Sequence, residues 1–448
     1  MTTSSAEIRA QDLRPSDVER SVINGRRQRS VYGKMIKKKQ GMGSARAVRD
    51  HFLAVCPAKV FNLTAGITAA AVLSAAVLSA AFSAPAFASS PEFARSAEEW
   101  AQLRDNKIEY GELEGLIEEY NATVQNNQYS YRKFRDDYGD TNDEVSNEYL
   151  KLAGDFYADM SDLDTDTASG MARELSLKIQ ADNMLKQASD TLDDSKIYLL
   201  TYEKAKMSLV AAAQSDMIRY YTLQNQKKTQ EAARDSAAAQ LALVELRKNA
   251  GAATELDILT ARQNLSDAED RITQTERSID SLRESMNVRL GWKYGDRPEI
   301  GPVPAADLAR IAGMNPEADL QRAYDNNYTL RINTRKRDNA KDGITRENCE
   351  MTLENNRKKI AASLSAAYRE VLSAQLALSQ AQAKAALEEQ NLAAAGSRLA
   401  AGTITQTDYN TRVRAAEDAR TAVQSADLAL FSAMETYDWS VNGLAAAE

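Results

Sequence analysis

Apolar or small residues recur at alternating steps of three and four over two long segments of the chain. The first segment carries them at Ile258, Ala261, Leu265, Ala268, Ile272, Thr275, Ile279, Leu282 and Met286. The same register, moved by 151 residues, gives a second series from Tyr409 to Tyr437 that only Arg412 interrupts. Such spacing places the side chains on one face of a helix, and its persistence is typical of coiled coils. The pattern predicts two helices that each pack an apolar seam against a partner helix.

The 151-residue shift also relates the segments that precede these two helices. Four residues of the first copy coincide with four of the second, namely Arg247 with Arg398, Gly251 with Gly402, Thr254 with Thr405 and Asp257 with Asp408. The correspondence continues upstream without a gap as far as Glu203 and Glu354. An internal duplication of this length indicates one helical unit made twice. We expect each unit to be a long helix, a turn at the glycine and a returning helix.

Proline placement favours long helices. None of the eight prolines lies between 92 and 297 or after 316, and proline breaks helix interiors. We predict helices over about 97–133, 148–160, 171–250, 317–399 and 405–437, and we find no convincing strand. The predicted fold class is all-α, with long antiparallel coiled-coil hairpins in two internal repeats.

The first 88 residues have a different character. Residues 1–59 are polar and basic, an apolar run from Val60 to Ser83 follows, and Ala86–Ala88 ends it. A basic flank, an apolar core and a small-x-small end are typical of a secretory signal peptide, here with cleavage after Ala88. An apolar run of about 20 residues is also long enough for a retained membrane anchor, which is the alternative. The predicted location is the cell envelope, in the periplasm or another extracytoplasmic space.

Four parts follow from these boundaries. They are the basic leader and signal peptide (1–88), the first helical repeat (89–290) with an acidic insertion near 134–170, a linker rich in proline and glycine (291–316), and the second helical repeat (317–448).

Composition excludes most catalytic chemistry for the exported part. Residues 89–448 contain no histidine, because the single His51 lies in the leader, and Cys349 is their only cysteine. This excludes a Ser-His-Asp triad, a Cys-His pair, a histidine-ligated metal site and an internal disulfide. The same residues carry 59 acidic and 43 basic side chains, which argues against nucleic-acid binding. We predict a protein that is not an enzyme and uses no cofactor or metal.

The order of these parts resembles the TolC-type outer-membrane efflux protein family. The resemblance rests on Asn249–Arg262 with Leu290-Gly291, on Ala401–Asp408, and on paired helix starts around Asn121 and Asn327. It implies a homotrimer in which each chain gives two helical hairpins to a hollow α-barrel. That barrel would dock on a periplasmic adaptor-type protein and an inner-membrane transporter, as an efflux or secretion conduit component.

The resemblance also implies roles for the two glycine turns. In the family the hairpin tips face the adaptor, and the corresponding residues here are Gly251, Ala252, Thr254, Gly402, Thr403 and Thr405. Asp408, with its counterpart Asp257, is implied to lie at the narrow pore entrance. The chain departs from the family at Ala252, where leucine is common, and at Thr411, where some members carry a second aspartate. Both aspartates also stand where a carboxylate stabilises a helix N-terminus, so both roles remain open.

A larger departure concerns the strands that close a membrane β-barrel in this family. The interval 121–203 is acidic, and the interval 327–354 is short and basic. Neither contains the alternating segments of about ten residues that a spanning strand needs. We therefore expect the helical tunnel with little or no β-barrel, and an outer-membrane location only if a barrel exists. The alternative function is an envelope coiled-coil scaffold or adhesion rod without a transport role.

An acidic turn imitates the start of a calcium loop. Asp162, Asp164 and Asp166 alternate as calcium ligands do, but Thr167 and Arg173 replace the glycine and glutamate that the loop requires. Capping of a helix by Asp166 or Thr167 is the alternative.

Two surface features also allow two interpretations each. Tyr129, Tyr131 and Tyr138 form either a sugar- or partner-binding patch or ordinary helix-surface packing. The basic run Arg335–Arg337 suits either contact with anionic lipid or a solvated helix face.

Overall fold

The computed structural model of the chain describes residues 89–163 and 166–447; the signal peptide and cleavage site predicted within 1–88 lie outside this part. The first half contains, in order, α1 (Ala97–Leu103), β1 (Lys107–Ile108), α2 (Leu113–Tyr120), α3 (Ala122–Tyr138), α4 (Asn142–Ser161), α5 (Ala168–Asp190), α6 (Ser195–Asn249) and α7 (Glu255–Leu290).

The second half begins with the linker and then repeats the plan. Its elements are β2 (Glu299–Ile300), α8 (Leu308–Gly313), α9 (Pro316–Asn326), α10 (Tyr328–Asn339), α11 (Gly343–Ala400), α12 (Gln406–Trp439) and a closing π-helical turn, Ser440–Leu444. Among the helices so described, none is both long enough and apolar enough to cross a bilayer.

Two long antiparallel hairpins dominate the chain: α6 packs on α7, and α11 packs on α12. The seam of α7 is the apolar series read from the sequence, since Ile258, Ile272, Ile279 and Met286 of that series are buried. Arg412, the residue that interrupts the second series, is exposed. The prediction of an all-α fold with long helical hairpins in two repeats is confirmed.

The helices are interrupted more often than the sequence predicted. A single helix over 171–250 is wrong, because the Asp194 carboxylate caps a new helix and α6 starts afresh. A single helix over 317–399 is also wrong, because Asn327 and Asp342 cap α10 and α11 in the same way. A side chain that satisfies the first free amides of a helix favours a new start over continuation.

Each repeat has an apolar core at the end of its hairpin that is remote from the glycine turn. The first core contains Trp100, Leu113, Leu116, Ile117, Met217, Met286, Leu290 and Trp292. The second contains Leu330, Ile360, Leu364, Val371, Leu430, Met434, Tyr437 and Val441. Burial of one large apolar side chain contributes about 1.5–3 kcal/mol, so these cores hold the base of each hairpin.

The same junction occurs at the base of both repeats. Asn121 caps α3, and its amide donates to the carbonyl of Arg289 at the end of α7 (2.8 Å). Asn327 caps α10, and its amide donates to the carbonyl of Ala445, just after the π-helical turn that follows α12 (3.0 Å). Each of these helices therefore starts at a hydrogen bond to the end of its repeat. The single helix predicted over 97–133 is wrong, because the segment that contains β1 interrupts it between Leu103 and Leu113 and the Asn121 cap starts a new helix after Tyr120.

At each junction a glycine packs closely against the residue that precedes the capping asparagine. Gly291 has φ +92°, and a Cβ added there would lie 2.4 Å from the Cβ of Tyr120. Gly443 has φ +111°, and its Cβ would lie 2.6 Å from the carbonyl oxygen of Asn326. Only glycine avoids both the cost of the left-handed conformation and the overlap.

One helical hairpin occurs in the first repeat alone. In the chain, α4 and α5 follow α3 and precede α6, and they pack on each other. In the second repeat, α10 is joined to α11 by only Ala340, Lys341 and Asp342. The acidic insertion noted in the sequence lies largely within this hairpin. The intervals 121–203 and 327–354, where the resemblance would place strands, are therefore helical over most of their described length.

The linker crosses the base of the first hairpin. β2 pairs with β1 in parallel, Lys107 with Glu299 and Ile108 with Ile300, and this is the only ladder in the described part of the chain. The hydroxyl of Tyr221 in α6 donates to the carbonyls of Ile300 and the following residue, both at 2.9 Å. The linker is thus fastened to α6 part-way along its length.

Candidate functional site

The two hairpin tips have the same backbone structure. Gly251 has φ +73° and Gly402 has φ +70°. The amides of Gly251 and Ala252 donate to carbonyls in the last turn of α6 (2.8 and 2.7 Å), and those of Gly402 and Thr403 do so in α11 (both 2.9 Å). This arrangement satisfies the final carbonyls of a helix and reverses the chain, and the left-handed position favours glycine. No atom lies within 4 Å of a Cβ added at either glycine, so both tips are open on that side.

The returning helices begin with the same capping box. The Thr254 hydroxyl accepts from the amide of Asp257 (3.2 Å), and the Asp257 carboxylate accepts from the amide (2.7 Å) and hydroxyl (2.8 Å) of Thr254. Thr405 and Asp408 repeat these three bonds at 3.1, 3.1 and 2.8 Å. Each box satisfies two otherwise free amides at a helix start.

These bonds lower the pKa of both carboxyl groups. For Asp257 the larger cause is the bond from the Thr254 amide, followed by that from the hydroxyl. For Asp408 the hydroxyl of Thr405 contributes most, followed by its amide. Both side chains are exposed, so each tip carries an ionised carboxylate at neutral pH. The capping role suggested by the sequence is therefore present; a role at a pore entrance remains a prediction.

Acid is expected to loosen both tips. Because folding lowers the pKa of each aspartate, its carboxylate stabilises the cap above the unfolded value, and this contribution is lost as the pH falls through the lower folded value. Hydrogen exchange of the 405–409 amides, corrected for its intrinsic pH dependence, should accelerate below about pH 4. Asp408→Asn should abolish this acid-induced acceleration of exchange at the second tip and preserve it for the amides of 254–258. An unchanged profile at both tips in the variant would contradict the assignment.

The tips differ in side-chain chemistry. The first tip exposes Leu246, Leu256 and Leu259. The shift of 151 residues places polar side chains at the equivalent positions of the second tip, namely Ser397, Thr407 and Asn410. The first tip also has its own small seam of Val244, Ile258 and Ala261. A partner that contacts both tips would therefore meet one apolar and one polar surface.

The two repeats meet through one face of α6. The four long helices contact one another in the order α7, α6, α12, α11. Trp439 of α12 donates from Nε1 to the side-chain oxygen of Gln214 (2.8 Å), and Lys204 donates to the hydroxyl of Thr329 in α10 (2.8 Å). Leu200, one turn from Lys204 on α6, is only 3% exposed. The second repeat thus covers this face of the first.

The equivalent face of α11 is uncovered in the described chain. Leu200 corresponds to Met351, which is 59% exposed, and Gln214 corresponds to Ser365, which is also exposed. The residue that corresponds to Trp439 is Val288 of α7, at the other end of the row of helices, and it is 64% exposed. The described chain therefore has two uncovered lateral edges, at positions that correspond to those in contact between its own repeats.

Three solved structures of known proteins resemble this one at low sequence identity. The CmeC channel of Campylobacter jejuni has 11% identity and a TM-score of 0.43, with 77% of this chain and 87% of that chain covered. The OprN channel has 14% identity, a TM-score of 0.43 and coverage of 78% and 92%. The MtrE channel of Neisseria gonorrhoeae has 12% identity, a TM-score of 0.41 and coverage of 75% and 89%.

All three are described as outer-membrane channels. No protein-family model matches this chain, and no curated protein matches it.

The acidic turn is a helix cap. Thr167 caps α5, because its hydroxyl accepts from the amide of Gly170 (3.0 Å). Asp164, the central ligand of the imagined calcium loop, lies outside the described residues. Across 89–163 and 166–447, no group of three or more His, Cys, Asp or Glu residues could hold a metal ion.

The three tyrosines differ in their surroundings. Tyr138 stacks on Phe134 (ring centroids 5.1 Å apart) and contacts Tyr149 (5.6 Å), so it packs α3 against α4. Tyr129 is exposed, and Tyr131 is half-buried. The packing interpretation holds for Tyr138.

The basic run of α10 is an internal contact. Arg335 donates from Nε to the buried carboxylate of Asp194 (2.5 Å), and Lys336 lies 3.8 Å from the carboxylate of Asp193. Arg337 pairs with the adjacent Asp338. The predictions of a solvated face and of lipid contact both missed these ion pairs. Two features of the sequence are consistent with these ion pairs: two acidic residues directly precede α6, and basic residues lie near the end of α10.

The uncovered edges were not found from the sequence. The sequence did contain an indication of them. Met351 and Val288 are apolar, and the residues at the equivalent positions of the other repeat, Leu200 and Trp439, pack between the two repeats. Only the structure shows which repeat positions are covered and which are not.

Proposed function

We propose that this chain is the subunit of an exported, TolC-like tube in which copies join edge to edge and enclose a conduit for efflux or secretion. The observation that carries the proposal is the pair of uncovered edges. Within the chain, Trp439 contacts Gln214. If Val288 of one copy contacts Ser365 of the next in the same way, every copy makes the same head-to-tail contact. Such a contact generates a ring when its rotation closes. Antiparallel rods that stand side by side in a ring enclose a lumen.

A second pair of positions supports the same arrangement. Asn121 and Asn327 are equivalent caps, so Thr329 corresponds to Thr123, and Lys204 corresponds to Asn355. Thr329 is buried against Lys204 within the chain, whereas Thr123 and Asn355 are exposed. Head-to-tail joining brings Thr123 of one copy to Asn355 of its neighbour. Both edges are then covered along much of their length.

The remaining parts of the proposal come from the sequence resemblance. It implies three copies, hence six hairpins, with all tips at one end of the tube. Those tips dock a periplasmic adaptor-type protein and an inner-membrane transporter through Gly251, Ala252, Thr254, Gly402, Thr403 and Thr405. Asp257 and Asp408 then contribute a ring of carboxylates at the entrance, where fixed negative charge attracts cations. The tube has no chemistry of its own and works in the cell envelope.

A disulfide across the proposed edges tests the ring. In a Cys56→Ser/Cys349→Ser background of the full-length chain, Ser365→Cys combined with Val288→Cys should give covalent trimers on oxidation. The reason is that each ring of three closes three identical bonds. Non-reducing electrophoresis measures the band, and negative-stain averages of the same sample should show an axial hole.

The single-cysteine variants are the matched controls and should not link copies into trimers. A protein that stays monomeric at all concentrations, or a cross-linked product without a central hole, would reject the conduit. That result would favour the envelope scaffold or adhesion rod instead.

A further inference from the structure

The inserted hairpin of α4 and α5, residues 142–190, is called the arm here. Asp194, at the root of the arm, caps the start of α6, and the other end of α6 leads into the turn at Gly251. The arm therefore projects from the end of the first repeat that is remote from the tips. Its two helices pack through a seam of small and apolar residues in which Ala153, Leu177, Ala181 and Ala188 are buried.

The root of the arm is fixed to the second repeat. Lys341 donates from Nζ to the hydroxyl of Ser146 (2.8 Å) and to the carbonyl of Ala188 (2.7 Å), so it bridges both helices of the arm. Asn339 donates to the carbonyl of Leu192 (2.8 Å), just beyond α5. Side chains from the second repeat therefore anchor the root of the arm.

One face of the arm is apolar and exposed. On α4, Leu150 and Tyr157 are seven residues apart and lie on the same side. On α5, Met171, Leu175 and Leu185 also share one side, together with Asp182, by the three- and four-residue periodicity of a helix. The Tyr157 hydroxyl donates to the Asp182 carboxylate (2.9 Å), which shows that these two sides form one surface.

This surface, the arm face, consists of Leu150, Tyr157, Met171, Leu175 and Leu185, all exposed. Exposed apolar residues gathered on one side mark an interaction surface more often than scattered ones do.

The charge of the arm narrows the choice of partner. Residues 142–190 contain 11 acidic and 4 basic side chains. An anionic lipid surface attracts a basic excess, which the arm lacks. Along the arm face the charges are balanced, because Lys178 lies between Leu175 and Asp182 on the same side of α5. A second copy of the same face offers apolar side chains and both charges, so Lys178 of each copy can meet Asp182 of another.

We propose that the arms of neighbouring copies pack on one another through the arm face around the axis of the tube. This inference rests on the proposed ring. In a closed cyclic assembly, a surface meets the same surface of every other copy only when all copies direct it towards the common axis. The arms then form a helical collar at the end remote from the tips, with their apolar faces inside and their acidic faces in water.

Cysteine cross-linking separates the collar from the ring. In the Cys56→Ser/Cys349→Ser background, Leu175→Cys should form disulfide-linked dimers on oxidation, since packed arm faces hold these thiols at high effective concentration. Asp155→Cys is the matched control: Asp155 is exposed on the arm and lies away from this face. It should link at least about tenfold more slowly, because millimolar effective concentrations require a shared contact.

Each outcome is decisive. If Leu175→Cys stays unlinked while Ser365→Cys/Val288→Cys still links copies, the collar is rejected and the ring stands. If neither site links, the ring fails and the collar fails with it. Full-length protein should not co-sediment with phosphatidylcholine–phosphatidylglycerol vesicles through this face. Co-sedimentation that Leu175→Glu abolishes would assign the arm face to lipid and overturn the collar.

Discussion

Gly291→Ala is expected to lower the free energy of unfolding by about 2–5 kcal/mol. The left-handed conformation of this residue costs any side chain about 1–2 kcal/mol. The added Cβ would also lie 2.4 Å from the Cβ of Tyr120 and 3.2 Å from its carbonyl oxygen, and overpacking of this kind costs about 1–3 kcal/mol. Tyr120 belongs to the first core and directly precedes the Asn121 junction, so the neighbour has little room to move. Urea unfolding followed by circular dichroism measures the loss.

Gly251→Ala is the matched control for this prediction. Gly251 has a similar positive φ of +73°, but nothing lies within 4 Å of its added Cβ. Only the conformational cost applies, so the expected loss is about 1–2 kcal/mol. Equal losses for the two variants would show that Gly291 is needed for its backbone conformation alone, and that close packing against Tyr120 contributes nothing.

Asp194→Ala is expected to cost about 2–4 kcal/mol. This carboxylate is fully buried and has three partners: it caps α6 through the amide of Ile197 (2.9 Å), and it accepts from Arg335 (2.5 Å) and Asn339 (2.8 Å) of the second repeat. Loss of an N-cap costs about 0.5–2 kcal/mol, and loss of a charged partner to buried donors costs about 1–3 kcal/mol. Arg335 is partly exposed and stays hydrated in part. The expected loss of stability is therefore smaller than the sum of the upper limits of these two ranges.

Asp342→Ala provides the comparison. Asp342 caps α11 as Asp194 caps α6, through the amide of Thr345 (2.9 Å), but it is exposed. Its replacement should cost clearly less than that of Asp194, because an exposed cap loses one backbone bond and leaves no buried donor unpaired. Hydrogen exchange should also accelerate in the arm of the Asp194 variant and remain unchanged there in the Asp342 variant. Equal losses of stability for the two variants would mean that the bonds from Asp194 to the second repeat do not add to stability.

The sequence was sufficient for the parts of the fold that local pattern determines. The seam from Ile258 to Met286 follows helical periodicity. The turns at Gly251 and Gly402 require a residue that tolerates positive φ. The duplication then made the second hairpin predictable from the first. Each of these features depends on residues close together in the chain, which is why they could be read without coordinates.

Features set by distant residues could not be predicted in the same way. The break before α6 depends on Asp194, and its partners Arg335 and Asn339 lie more than one hundred residues away. Without those partners, the apolar periodicity across 171–250 favours one continuous helix. The basic run of α10 was misread for the same reason, because its acidic partners become neighbours only after folding.

The tips illustrate the division between what sequence and structure each provide. The capping box of Thr405 and Asp408 follows from a local motif, and the structure contains it. Whether that carboxylate also faces a lumen depends on copies of the chain beyond the one described. The sequence could therefore indicate the residue and its local bonds, whereas its place in an assembly requires the cross-linking experiment above.

The fastening of the linker to Tyr221 has a mechanical consequence for the first hairpin. Between its start at Ser195 and this point, α6 is tied through the linker and the parallel β1–β2 pair to the beginning of the first repeat. Beyond it, α6 and α7 continue to Gly251 with only the side chains of neighbouring helices beside them. We therefore expect the stretch of the first hairpin between Tyr221 and Gly251 to bend sideways more readily than its base, which the linker holds.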